Sequence, residues 1–383
     1  MNVKPLKVLH VVGAMNKAGT ETMLMNIYRN VDYNKMQFDF ISYSTQDAHY
    51  DEEIEKRGGR VIKLSKTNSI KEIYNAIKKY GPYDVVHAHT LFHCGVATIA
   101  AYMAGIKVRI SHAHTTLDHG NNFSRKAYFK VMRLIINHFS TDLLACSHGA
   151  GSYLFGKKGV AKTKYTYFPN VIDYSTFLSH SHIEVKKFKV EQGLGKSIII
   201  GHIGRFIEAK NHAYLLEIMK SVNKRNPNIN LLLVGDGDLR QQIENKAKRE
   251  GLLEKIRFVG IRDDIPTMLH SMDVFVFPSI YEGLGLVLLE AQASGVPSVV
   301  SENIQPEADL GLGLVSKLSL KEDPEVWADK IIKLATKKER NISKIKNGFE
   351  RSGYSLKRAI STLTDIYDTN SGGAYEGNID RLL

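Results

Sequence analysis

Short apolar runs alternate with longer amphipathic stretches along nearly the whole chain, and the series starts afresh past its middle. In the first half the strand-like runs are 7–12, 37–42, 60–64, 85–89, 108–113 and 143–147. Stretches with helical apolar spacing lie between them, among them 20–31, 69–80 and 124–138. This is the pattern of parallel strands joined by crossover helices and covered on both faces. The series stops at Phe168-Pro169-Asn170, and residues 175–195 read as a polar linker. A second series follows, with strands at 197–203, 229–235, 256–260, 274–278 and 298–301. The expected fold is α/β, with two doubly wound halves and a ligand cleft between them at the carboxyl ends of the strands. The expected domains are 1–175 and 176–354.

A length of 383 residues suits two domains, and an apolar fraction of 43% is enough for a core in each. The two cysteines, Cys94 and Cys146, exclude a disulfide framework and a cysteine-rich zinc site, and suit a reducing compartment. The early apolar run 6–14 contains His10 and is strand-like, so no secretory leader is expected. No run of eighteen apolar residues is present, and 91–106 reads as a buried helix. The net charge of +12 calls for anionic partners. Nucleic acid is disfavoured, because the basic residues are dispersed and no zinc-finger, homeodomain or RNP signature is present.

Four constellations carry candidate chemistry. In the segment Tyr281-Glu282-Gly283-Leu284-Gly285-Leu286-Val287-Leu288-Leu289-Glu290, one acid sits on a loop after a strand and the other in the helix that follows. A helix start attracts phosphate, and carboxylates accept hydrogen bonds from sugar hydroxyls. In Gly204-Arg205-Phe206-Ile207-Glu208-Ala209-Lys210-Asn211, Arg205 and Lys210 follow the first strand of the second half, where a diphosphate would lie. Two cations on a loop are ordinarily just solvated, and it is their place at a strand's carboxyl end that makes them candidates. The loop Gly13–Thr22 matches neither a dinucleotide fingerprint nor a P-loop, yet Gly19 at a helix start can still bring backbone amides to a phosphate. Finally, His87, His89, His112 and His114 alternate at two strand ends. Their spacing is not that of zinc proteases. His114 reads as facing the cleft, the other three as structural. The Asp236-Gly237-Asp238 segment resembles a metal-binding pair but closes a strand and opens a helix, so Asp238 reads as a helix cap, and no metal site is expected.

Taken together, in this order along the chain, these pieces resemble the retaining glycosyltransferases of family 4, which have the GT-B fold. The version here is most similar to enzymes of bacterial capsule and exopolysaccharide assembly. The resemblance implies transfer of a sugar from a nucleotide-sugar, with UDP-sugar the first choice, to a saccharide or lipid-linked acceptor, without metal or cofactor. It assigns Arg205 and Lys210 to the donor diphosphate, Glu290 to the ribose, and Glu282 to the donor sugar. Gly283, Leu284, Gly285 and Leu286 would present backbone amides to sugar and phosphate, the backbone at Arg262 would meet the base, and Gly19 would approach the phosphates. His114 would bind the donor sugar or assist transfer. Ala18 departs from the glycine frequent in the family's amino-terminal loop. The resemblance also implies that 355–383 packs back on the first domain. The basic, amphipathic stretch 124–136 and the overall charge suggest a cytoplasmic protein that is peripheral on the inner face of the membrane. The rival readings are a nucleotide-sugar epimerase of the same fold and a non-catalytic sugar- or membrane-binding module.

Overall fold

The computed structural model describes residues 4–116, 123–179, 181–336 and 340–368. Among them run thirteen strands: β1 Leu6–Val12, β2 Met36–Ser42, β3 Val61–Lys63, β4 Val85–Ala88, β5 Val108–Ala113, β6 Asp142–Ala145 and β7 Tyr165–Tyr167, then β8 Ile198–Ile203, β9 Ile229–Val234, β10 Ile256–Phe258, β11 Val274–Phe277, β12 Ser298–Ser301 and β13 Val315–Leu318. They form two parallel sheets in two compact units. The first sheet has the order β3-β2-β1-β4-β5-β6-β7, the second β10-β9-β8-β11-β12-β13. In each the chain winds outward, returns to the middle and winds the other way. The reversal lies between β1 and β4 in one sheet and between β8 and β11 in the other. At such a point the loops leaving two adjacent strands diverge and open a crevice.

The first unit comprises residues 4–114 and 123–168 and the helix Leu356–Tyr367. Its core includes Tyr28, Phe38, Phe40 and the fully buried Tyr367. The tail 369–383 lies outside the described residues. The second unit holds Thr115, Thr116 and the segment Pro169–Ser355. Trp327 is fully buried in its core and donates from its indole N–H to the Ser319 carbonyl at 3.1 Å.

Three differences from the sequence pattern have physical causes. The boundary at 175/176 falls inside the second unit, because Tyr174 stacks on Phe349 and donates to Glu350 at 2.7 Å. The stretch 175–195 is not a plain linker but carries the helix His182–Glu191. That helix buries little beyond Phe188, so its apolar periodicity is faint. Its visible signal is the cap, since Ser181 accepts from the Glu184 amide at 3.2 Å in a Ser-x-x-Glu pattern. The strands β7 and β13 were not visible as apolar runs. Both are sheet edges whose residues stay half-exposed or exposed, so nothing requires a continuous apolar run there.

Candidate active site

The second sheet's reversal point brings two loops together. The first leaves β8. Asn211 takes a left-handed conformation (φ 56°), which Asn tolerates better than most residues, and ends the turn. Its side-chain amide donates to the Pro278 carbonyl at 3.2 Å, and the Ile280 amide donates to the Ala209 carbonyl at 2.8 Å. The β8 loop is thereby stitched to the β11 loop on both sides of Lys210. Lys210 Nζ then meets Glu282 Oε1 at 2.5 Å, with both side chains largely buried, and lies 5.0 Å from the centre of the Phe277 ring. Gly204 makes room for the lysine stem, since a Cβ there would come within 3.2 Å of Lys210 Cδ. Arg205 stands exposed on the same loop.

The turn after β9 supports this loop from below. Gly235 has φ 127°, and a Cβ on it would fall 2.2 Å from the Gly204 carbonyl oxygen. The Phe206 amide donates to the Asp236 carbonyl at 3.0 Å, and the Leu239 amide to the Phe206 carbonyl at 2.9 Å. Here the expectation of a capping Asp238 is corrected. The helix Arg240–Arg249 has Leu239 at its N-cap and no side-chain cap, because that turn is bonded to the neighbouring loop instead.

Beyond Glu282 the chain turns at Gly285, left-handed at φ 89°, into the helix Leu286–Ala293. No side chain caps that helix start. Its first amides therefore form a positive end suited to an anion. Glu290 lies one turn further on, in the same helix. Burial raises its carboxyl to about 7, with no charge or hydrogen bond offsetting the effect. The Arg262 guanidinium makes a two-pronged contact with Asp264, both bonds 2.8 Å. His202, fully buried beneath the loops, donates from Nδ1 to the Val276 carbonyl at 2.9 Å, and burial lowers it to about 4. It is therefore a neutral strut between β8 and β11, and its sequence position alone offered no sign of that role.

In the first unit, Gly19 opens the helix Gly19–Tyr28, whose N-cap, Ala18, gives no side-chain bond. His114 follows β5, its Nε2 2.8 Å from His89 Nδ1.

Two family descriptions match the chain. Residues 18–176 match Glycosyltransferase Family 4 and residues 184–351 match Glycosyl transferases group 1. Among curated proteins, the putative glycosyltransferase EpsF of Bacillus subtilis is 38% identical over 379 residues, 97% of this chain and 98% of EpsF. The chain belongs to the family 4 glycosyltransferases. The capsular polysaccharide biosynthesis glycosyltransferase CapH of Staphylococcus aureus is 29% identical over 94% of this glycosyltransferase and 98% of its own length. Among solved structures, Anabaena HepE in complex with UDP and glucose superposes with a TM-score of 0.77 at 18% identity, covering 95% of this chain and all of that one. At that identity the likeness speaks for the fold, and the fold is GT-B: two Rossmann-like domains, one on each sheet.

Sequence spacing identified most of the polar groups around this glycosyltransferase's β8–β11 reversal, but not their partners. Lys210 and Glu282 are 72 residues apart. Nothing local predicts that they touch.

Proposed function

We propose that this glycosyltransferase is a retaining, metal-independent enzyme that moves a sugar from a UDP-sugar to a saccharide or lipid-linked saccharide acceptor in cell-surface polysaccharide synthesis. The observation that carries the reading is the Lys210–Glu282 pair set beside an uncapped helix start at the second sheet's reversal point. A donor diphosphate placed there meets the Lys210 ammonium, the exposed Arg205 and the first amides of Leu286–Ala293. As the anomeric C–O bond breaks, negative charge grows on the leaving phosphate, where these groups act. The acceptor hydroxyl attacks the anomeric carbon from the departing side, and its proton passes to the leaving phosphate oxygen. Glu282 holds the sugar and Glu290 the ribose, and His114 serves the donor sugar or the transfer step. The UDP bound to HepE and the capsular role named for CapH support the choice of donor and of pathway class. Turnover of a panel of UDP-, GDP- and ADP-sugars, with and without EDTA, tests the reading. A UDP-sugar is expected to be consumed equally in both, with the product's anomeric configuration retained by NMR. Preference for another nucleotide, loss of turnover in EDTA, or an inverted product would each overturn its part.

No described helix is long and apolar enough to cross a membrane. The helix Phe123–Phe139 does leave Tyr128, Val131 and Leu134 exposed at helical spacing, alongside exposed Lys126 and Lys130. An apolar stripe bordered by lysines fits the surface of an anionic bilayer and a lipid-linked acceptor. Flotation with phosphatidylglycerol vesicles is expected to carry the protein, and Val131→Asp with Leu134→Asp to abolish this. Equal flotation of the double variant would remove the helix from the account.

A further inference from the structure

Five histidines share one face of the first sheet. The register of β1 on β4 sets His10 opposite His87, and that of β4 on β5 pairs Ala88 with Ser111, so that His89 comes beside His112. The two-residue period of a strand turns His87 and His89 to one side, and His112 and His114 likewise. The rings meet through their nitrogens. His10 Nδ1 is 3.1 Å from His89 Nε2, His87 Nε2 is 3.2 Å from His112 Nδ1, and His89 Nδ1 is 2.8 Å from His114 Nε2. His87 Nδ1 lies 2.7 Å from the Tyr367 hydroxyl.

We propose that His89, His112 and His114 form a binding site for one divalent transition-metal ion of the zinc class. One ring nitrogen from each lies within 4.8 Å of the other two. His112 Nε2 is buried without a hydrogen-bond partner, while its Nδ1 is held by His87. The nitrogen left over is the one a metal would take. The second ring nitrogens of His112 and His89 have the partners that metal-bound imidazoles need. His112 leans on His87 and through it on Tyr367, and His89 Nε2 leans on His10. Three imidazoles with no carboxylate among them suit Zn2+, Co2+ or Ni2+ and are a poor set for Mg2+ or Ca2+. Zinc–nitrogen bonds of about 2.0–2.1 Å put tetrahedral ligand nitrogens about 3.3 Å apart. Binding therefore replaces the 2.8 Å His89–His114 hydrogen bond with two metal–nitrogen bonds and draws the three nitrogens in from within 4.8 Å of one another. A second trio, His10, His87 and His89, meets the same distance limit but is more deeply buried. His89 and His114 are each partly exposed, which gives an ion a way in and leaves a fourth position for water.

The proposed ion site shares one residue, His114, with the proposed transfer site, so binding itself is the measurement, and its failure leaves the transfer reading standing. The full chain, stripped with a chelator, is titrated with Zn2+ against a chromogenic competitor and with Co2+ by visible absorption. One ion per chain is expected, with the intense ligand-field bands of four-coordinate Co2+. His112→Ala and His89→Ala are each expected to weaken Zn2+ about a hundredfold, and His87→Gln about tenfold. His138→Ala, at an exposed histidine outside the cluster, is expected to leave affinity unchanged. Should His112→Ala not fold, His112→Gln takes its place. Absence of a stoichiometric ion, six-coordinate Co2+ spectra, or wild-type affinity in folded His89 and His112 variants would overturn the site. The five rings would then be a hydrogen-bonded array and no more.

Discussion

Replacing Lys210 with alanine is expected to cut sugar transfer by roughly a hundred- to a thousandfold, the size of effect seen on removing one preorganised donor to a developing negative charge. The ammonium is held in place by Glu282 at 2.5 Å and by the Phe277 ring, so it does not have to be ordered when the donor arrives. Truncation also leaves the Glu282 carboxylate, whose side chain is 12% exposed, without its partner. The stability cost should lie between the roughly 1 kcal/mol of an exposed pair and the roughly 3–5 kcal/mol of a buried one. A second variant separates the two effects. Glu282→Gln combined with Lys210→Ala removes the stranded charge, and is expected to recover thermal stability without recovering transfer. Initial rates with the preferred nucleotide-sugar, alongside thermal unfolding of each variant, give both numbers. Transfer within fivefold of wild type in folded Lys210→Ala would take the lysine out of the donor site.

The second large effect is expected at Glu290, and it depends on pH. In the folded, unliganded protein its carboxyl titrates at about 7, raised from 4.5 by burial. Between those values the folded state holds a proton that the unfolded chain has released, so stability falls as pH climbs from about 4.5 to 7 and stays lower above. At 1.36 kcal/mol per pH unit the loss approaches about 3 kcal/mol. Glu290→Gln is therefore expected to raise stability at pH 8 toward that amount and to flatten the stability profile. Ribose hydroxyls donate better to the ionised carboxylate, so UDP binding should release a proton. Wild-type affinity should rise by up to tenfold per pH unit between about pH 5 and 7 and then level off. Glu290→Gln should bind more weakly at pH 8 and lose this slope, with transfer sharply reduced. Calorimetry in buffers of different ionisation enthalpy measures the released proton directly. Parallel slopes for wild type and variant would show that Glu290 does not meet the nucleotide.

How far the site could be read in advance depends on whether its geometry is local. Glu282 on a loop and Glu290 in the following helix are one element's business, and glycines at 283 and 285 announce the turn between them. The helix His182–Glu191 leaves little trace in the sequence because it buries only one residue deeply, and periodicity records burial and not helicity. In the sequence His10 is only an interruption in an apolar run. Its partners, His87 and His89, come more than seventy residues later, on a strand that becomes its neighbour only when the sheet reverses its order.

By itself the sequence determined the α/β alternation, the two halves and the residue types at each strand's carboxyl end, because the periods of strand and helix are properties of adjacent residues. The tertiary structure decided which of those ends meet. The order β10-β9-β8-β11-β12-β13 sets β8 against β11, and so sets Lys210 on Glu282. The order β2-β1-β4-β5 gathers five histidines from three separate segments onto one face. Parallel neighbours are joined through long crossovers, so their pairing follows from how helices pack over the sheet and not from any spacing along the chain.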